Sequence, residues 1–95
     1  MTPEQRKSYK IYTGVLKYFP DALLEVSKAS VAGNKQHLEG QPLVWDRTKS
    51  TDQMDAGVRH IMDYARGEKM DNDGVPHLAK AAWRMLAQLQ IDLEK

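Results

Sequence analysis

The chain has 95 residues, with 14 Lys and Arg against 13 Asp and Glu, and it contains no cysteine. This length predicts one small domain (1–95) without a large core of its own, because such a chain buries only about 60–65% of its unfolded surface. The composition excludes disulfides and thiolate metal sites, and the near-zero net charge disfavours duplex DNA as a partner, so self-association is the common remaining way to bury more area.

Two helices are predicted in the N-terminal part. Thr2 and Gln5 have the spacing of a capping box, which favours a helix over about 3–18. Pro20 ends or kinks this helix, and a second helix follows over about 20–34. The pattern therefore predicts a kinked N-terminal helix pair.

The C-terminal part is predicted to form a loop followed by two helices. The loop covers about 35–49, where residues 43–45 are expected to anchor it to the core. Ser50 and Gln53 again have capping-box spacing and are expected to open the third helix. The last helix lies within 73–94, and these two helices are predicted to form an antiparallel hairpin in an all-α fold. Its apolar face comprises Leu78, Ala81, Ala82, Met85, Leu86, Leu89 and Leu93.

Aromatic and basic residues alternate near the N-terminus. A tyrosine ring can stack on a nucleobase, and an ammonium group can neutralise a phosphate. The alternative, which composition alone favours, is that the tyrosines pack in the core and the lysines are solvated. Lys28 and Ser30 do not share a helix face, so they could serve one ligand only near a helix end or at a subunit seam; the favoured alternative is a solvated lysine and a neutral serine. The N-terminal cluster comprises Tyr9, Tyr12 and Tyr18 with Lys7, Lys10 and Lys17.

A second group of cations precedes the third helix. Arg47 and Lys49 lie just before its expected N-terminus, where free amides favour anions. Alternatively, Arg47 forms an ion pair with Asp46 or Asp52 that fixes the loop. The two interpretations are evenly balanced.

Histidine and carboxylate residues form a third group. His60 and Asp63 are three residues apart on one helix face, and His77 begins the next helix, so the three side chains could ligate a metal. Polar contacts between packed helices are the favoured alternative. We therefore predict no metal and no other cofactor.

From Gly33 onwards the chain resembles a family of small phage proteins. Their domain is described as the N-terminal part of a dATP/dGTP diphosphohydrolase, and among them is the anti-CBASS cyclic-nucleotide sponge family. The resemblance covers about two thirds of the chain. It is carried by G-N-K-Q-H, G-Q-P-L-V-W-D-R-T-K-S-T-D, R-H-I-M-D and D-N-D-G-V-P-H-L-A-K-A-A-W-R-M-L-A-Q-L-Q.

The resemblance to the sponge family implies a helical homohexamer that sequesters cyclic dinucleotides such as cGAMP and thereby blocks activation of CBASS effectors. In that family a tyrosine and a Lys-x-Thr pair contact the ligand between two protomers, and Tyr12, Lys28 and Ser30 match those positions best. Cyclic trinucleotides are held at a separate site. Further anion contacts are expected from Tyr9, Arg47 and Lys49.

The resemblance also implies a binding protein that is not an enzyme. Its expected location is the cytoplasm of an infected bacterial host, with neither nucleic acid nor membrane as a partner. One alternative is a MazG-like dATP/dGTP pyrophosphohydrolase using Mg²⁺, although the E-E-x-x-E and E-x-x-D patterns expected for it are absent. Another alternative is a protein-interaction module that binds no nucleotide.

Overall fold

The computed structural model describes residues 1–38, 40 and 42–95, with side chains for all of these except 35–38. Within this part the chain is all-α, as predicted, and it contains an isolated bridge between Met70 and Pro76 but no strand. None of the described helices is long and apolar enough to cross a membrane. The helical segments are α1 (Pro3–Ser8), a π-helical turn (Tyr12–Leu16), α2 (Pro20–Leu38), α3 (Gln53–Ala65) and α4 (His77–Leu93).

The predicted capping box at the N-terminus is confirmed. The Gln5 amide donates to Thr2 Oγ1 at 3.1 Å, and the Thr2 amide donates to Gln5 Oε1 at 2.7 Å. The prediction of one helix over 3–18 is wrong, because α1 ends at Ser8. The Ser8 hydroxyl donates to the Gln5 carbonyl, which would accept the amide of Tyr9 if the helix continued. Tyr9 is therefore extended, and its amide turns to the Arg6 carbonyl at 3.3 Å.

The second predicted capping box is wrong. Ser50 has a φ of 48°, in the left-handed region, and α3 begins after Asp52, whose side chain makes no capping bond. The Gln53 side chain instead donates to the Ser50 carbonyl at 2.9 Å. The second helix also differs from its prediction, because α2 reaches Leu38 instead of ending near residue 34.

The loop before α3 contacts the core through one residue of the predicted anchor. Trp45 packs edge-on against Trp83 of α4, with ring centroids 5.7 Å apart. The side chains of Leu43, which is 59% exposed, and of Val44 do not pack in the core, so the prediction is wrong for them, although the Val44 amide donates to Asn34 Oδ1 at 3.2 Å and ties the loop to α2. Some predicted loop residues, Glu39 and Gln41, lie outside the described residues.

The predicted antiparallel hairpin of the last two helices is confirmed. Gln53, at the start of α3, contacts Arg84, whereas His60 farther along α3 contacts His77 at the start of α4. α2 packs on the other side of α4. The buried core consists of small side chains, because the leucines of the predicted apolar face of α4 are exposed and Met85 is only partly buried. Its buried members are Ala56, Val75, Ala79, Ala81 and Ala87.

Gly57 permits the close approach of α3 and α4. A Cβ atom at this position would meet the end of the Met85 side chain and would lie 3.3 Å from Arg84 Cβ. We expect Gly57→Leu to lower the free energy of unfolding by about 1–3 kcal/mol, because the packed helices must separate. Urea denaturation measures this loss. Gly33→Ala is the control, since a Cβ there meets nothing within 4 Å, and equal effects of both substitutions would contradict the prediction.

Candidate functional site

A cleft of about 140 Å³ lies between α2, the loop before α3, and the α3–α4 hairpin. Its lining combines cationic, aromatic and amide side chains from four parts of the chain, together with the carboxylates of Asp46 and Asp73. Because these residues are far apart in sequence, the cleft exists only once α2 and the loop pack on α4. The lining residues that matter most are Ser30, Trp45, Lys49, Gln53, Trp83 and Arg84.

Arg84 is a half-buried cation that lines the cleft. Its guanidinium donates to Gln53 Oε1 at 3.0 Å, and burial lowers its pKa from the usual value. Among the described residues, no carboxylate lies within ion-pair distance of Arg84. Asp52 acts on the Arg84 charge only through space, and a half-buried guanidinium outside any ion pair favours an anionic ligand.

Gln53 fixes the direction of the Arg84 side chain. Gln53 is only 3% exposed, and its amide group bonds both the Ser50 carbonyl and the guanidinium. Since both ends of the amide are occupied, its flip state is determined by the network. The first turn of α3, which has no side-chain cap, also lies beside the cleft and adds a positive dipole end. The arrangement suits phosphate or carboxylate groups.

Two indoles give the cleft an apolar surface. Trp45 and Trp83 pack edge-to-face, and the Arg47 guanidinium lies 4.1 Å from the centre of the Trp45 ring. Arg47 also forms a bidentate ion pair with Glu94, which ties the loop to the end of α4. Indole faces can pack against a nucleobase. A planar apolar surface beside a cation is a suitable combination for a nucleotide.

Lys80 is a second cation in the cleft, but carboxylates neutralise it. Its ammonium contacts Asp71 at 2.7 Å and Asp73 at 2.6 Å. These hydrogen bonds lower the pKa of both carboxyl groups. Burial lowers the pKa of Lys80, and the two carboxylates more than offset that effect and raise it overall. The trio fixes the 71–75 loop against α4 and leaves Arg84 as the stronger anion ligand.

We expect Lys80→Met to lower the free energy of unfolding at neutral pH by about 1–2 kcal/mol, a value reduced for partial exposure. The folded-state pKa values of Asp71 and Asp73 are depressed, so their contribution is present above about pH 4 and is lost as the pH falls through the folded values. Chemical denaturation at pH 7 and pH 3 should show the difference between wild type and variant shrinking in acid. Lys7→Met, on exposed α1, is the control, and a difference that persists at pH 3 would contradict this account.

His60, His77 and Asp63 lie together where α3 meets the start of α4. The Nδ1 atoms of the two histidines are 2.9 Å apart, and His77 Nδ1 is 3.7 Å from Asp63 Oδ2. The pKa of His60 is lowered, mainly by burial and to a smaller extent by repulsion from His77. His60 also lines the cleft, so this cluster adjoins the cationic site.

The residues expected from the sponge resemblance are not all in one place within the chain. Ser30 and Lys49 line the cleft, whereas Lys28 lines a larger, open depression beside it and pairs with Glu25 at 3.0 Å. Tyr12 is 67% exposed in the π-helical turn and lines neither space. Tyr9 is also exposed in this N-terminal segment. Their ligand contacts remain predictions.

The ion pairs considered for Arg47 are wrong. Arg47 forms its ion pair with Glu94. Arg59 donates to Asp52 Oδ2 at 3.0 Å, and the Thr48 amide donates to Asp46 Oδ1. An anion contact by Arg47 stays a prediction.

Sequence reasoning missed Trp83 and Arg84. The available signal was a single cation inside the otherwise apolar run 81–87 of a helix, a place where a charge needs a partner. The sequence does not show which helix provides that partner, so the position could not be connected to Gln53.

The described carboxylates do not fit a Mg²⁺ site of the expected hydrolase type. Mg²⁺ needs oxygen ligands, and Lys80 already occupies Asp71 and Asp73. The group of potential ligands that the described residues bring together is His60, Asp63 and His77, with one carboxylate among them. No catalytic step through Mg²⁺ follows from this arrangement.

Comparison with known proteins gives one match. A family model described as "dATP/dGTP diphosphohydrolase, N-terminal" matches residues 2–95. No curated protein and no solved structure matches the chain. The expectation of a binding protein that is not an enzyme is therefore wrong, because the matching family is a diphosphohydrolase domain and points to an enzyme.

Proposed function

Because the chain belongs to the dATP/dGTP diphosphohydrolase N-terminal family, we propose that it binds dATP or dGTP in the cleft and acts in their hydrolysis. In this reaction water cleaves the bond between the α and β phosphates, and the products are the deoxynucleoside monophosphate and inorganic diphosphate. The observation that carries this proposal is the half-buried Arg84, which is held by Gln53 and lacks a carboxylate partner among the described residues. An Arg fork matches two phosphate oxygens.

The cleft supports separate positions for phosphate and base. Arg84 and the start of α3 lie on its cationic side, with Lys49 available from the loop. Trp83 supplies an indole beside them as the surface for the purine. Ser30 adds a hydroxyl from α2. This chemistry selects a nucleotide over a plain phosphate ion.

The cleft of one chain is small for a nucleotide. The cleft, at about 140 Å³, is smaller than the roughly 300 Å³ or more of typical small-molecule sites. The chain also exposes many large apolar side chains, especially in the N-terminal segment between α1 and α2. We propose that copies of this chain associate through that segment and complete the site. The exposed apolar residues of the segment are Tyr9, Ile11, Tyr12, Val15, Leu16, Tyr18 and Phe19.

Cyclic dinucleotides, such as cGAMP, are a second candidate ligand class, with cyclic trinucleotides as a related possibility. The observation that favours them is exposed Lys28, which lines the depression next to the cleft that Ser30 lines. A twofold seam would supply Tyr12 and Lys28 twice to a ligand with two phosphates and two bases. The same cationic and aromatic chemistry serves both ligand classes.

Calorimetry followed by chromatography of the recovered ligand tests both candidates. The protein is mixed with dATP, dGTP or 3′,3′-cGAMP, each with Mg²⁺ or Mn²⁺, and dCTP is the control nucleotide. We expect dATP and dGTP to bind and to yield dAMP or dGMP with diphosphate, and dCTP to react more slowly. Tight binding of cGAMP, recovered intact, with no turnover of either purine nucleotide would favour the second candidate. If none of these ligands binds, both proposals are wrong.

The second candidate makes a specific prediction for Lys28. We expect Lys28→Ala to weaken cGAMP binding by about tenfold, the effect of one lost charged hydrogen bond, and to leave assembly unchanged. Lys7→Ala in α1 is the matched control. Equal affinities of wild type and Lys28→Ala would remove Lys28 from the site.

A further inference from the structure

Three side chains near the α3–α4 hairpin have the composition of a metal site. His60 and Asp63 lie one turn apart on α3, and His77 is the first residue of α4. One potential ligand atom from each lies within 4.8 Å of the others. Two imidazoles and one carboxylate form the ligand set that suits first-row transition ions.

The spacing of the two imidazoles matches two ligands of one ion. Their Nδ1 atoms are 2.9 Å apart, so at most one carries a proton and the other directs a lone pair into the gap. Zn–N bonds of about 2.0–2.1 Å place two nitrogen ligands about 2.8–3.4 Å apart at octahedral or tetrahedral angles. Replacing the shared proton with an ion therefore needs only a small outward movement of the rings.

Asp63 is oriented for the same position. Its Oδ1 atom accepts from Arg66 at 3.3 Å, and its Oδ2 atom lies 3.7 Å from His77 Nδ1. Arg66 thus binds Oδ1 of Asp63, and Oδ2 remains on the side of the histidines. Outer contacts of this kind commonly orient metal ligands.

His77 is held rigidly by the chain around it. Its side chain is 4% exposed, and its backbone amide donates to the Lys69 carbonyl at 2.9 Å. The bridge between Met70 and Pro76 and the bond from the Asp71 amide to the Val75 carbonyl close the same loop. Nearby Lys80 does not oppose an ion strongly, because two aspartates neutralise it. The ligands are therefore positioned before any ion arrives.

We propose that His60, Asp63 and His77 bind one divalent transition ion, of the Zn²⁺, Co²⁺ or Mn²⁺ type, in preference to Mg²⁺. Nitrogen ligands favour the transition ions, whereas Mg²⁺ prefers six oxygens. Three protein ligands leave at least one coordination position for water or an anion. Since His60 lines the cleft, the ion lies at its edge. This site follows from the three side chains and does not depend on the proposed nucleotide.

Metal titration of chelator-treated protein tests the proposal. We expect one Zn²⁺ per chain by calorimetry, a visible absorption band with Co²⁺, and an affinity for Mg²⁺ at least 100-fold weaker than for Zn²⁺. Asp63→Asn and His60→Ala should each weaken Zn²⁺ binding about 100-fold or more, and Arg66→Ala about tenfold. Circular dichroism establishes that each variant is folded. Asp55→Asn, an exposed acid on the same helix, is the matched control.

Three results would overturn the proposal. They are the absence of Zn²⁺ binding by wild type, equal Zn²⁺ binding by wild type and Asp63→Asn, and equal affinity for Mg²⁺ and Zn²⁺. His77 is left unchanged because its burial makes a folding defect the expected result of its removal. Zn²⁺ binding without nucleotide turnover would support the metal site and would contradict only the proposed function.

Discussion

Replacing Arg84 by methionine is expected to weaken binding of dATP and dGTP by about 10- to 100-fold. The loss corresponds to about 1.5–3 kcal/mol for hydrogen bonds to a charged ligand group. Methionine keeps much of the side-chain volume, so the packing around Trp83 and Gln53 should remain. Calorimetry with each nucleotide measures the change.

The stability of the same variant distinguishes a ligand site from a structural residue. Arg84 is half-buried, and burial lowers its pKa, which shows that the folded chain destabilises its charge. Arg84→Met removes that cost but leaves the buried Gln53 Oε1 without its donor, so the two effects oppose each other and the melting temperature should change little while binding falls. Residues selected for ligand binding often reduce stability in this way. A lower melting temperature with unchanged affinity would make Arg84 a structural residue.

Two further variants refine the Arg84 result. Arg84→Lys keeps a positive charge but lacks the planar fork, so its affinity should lie between those of wild type and Arg84→Met. Arg59→Met is the matched control, because Arg59 is an exposed arginine of α3 outside the cleft. If Arg59→Met reduced affinity as much as Arg84→Met, the effect would be general electrostatics and not a specific contact.

The helices were predictable where local signals decide them. The Thr2–Gln5 capping box forms because both partners lie within one exposed turn. The same spacing at Ser50 and Gln53 fails, because Gln53 turns inward to bond Arg84 and the Ser50 carbonyl. A tertiary contact 31 residues away overrides the local signal, and spacing alone cannot reveal it.

The site was only partly predictable for the same reason. Lys49 and Ser30 were identified from the sequence, and both line the cleft. Arg84 was missed because its importance depends on burial and on an absent carboxylate partner, neither of which a sequence displays. Periodicity also predicted a large apolar face for α4, yet Ala81 is the one member of that face that is buried within one chain. The exposed leucines are explained if other copies cover them.

Self-association gives the last prediction, for Ile11 in the N-terminal segment. Ile11 is 64% exposed, so Ile11→Asp would change the stability of a monomer by no more than about 0.5 kcal/mol. In an assembly the same substitution buries an unpaired carboxylate. We then expect a loss of about 3 kcal/mol or more, equal to at least a 100-fold weaker association. Sedimentation equilibrium of wild type and variant measures it.

The concentration dependence of unfolding makes this test independent of size measurements. For an assembly held by the N-terminal segment, the wild-type melting temperature should rise with protein concentration, and that of Ile11→Asp should not. Lys7→Asp, in exposed α1, is the control for an added negative charge. If a seam completes the cleft, nucleotide should also promote assembly, because a ligand that binds the associated state stabilises it. A wild-type chain that sediments as a monomer with and without nucleotide would show that the cleft acts within one chain and that the exposed apolar segment has another partner.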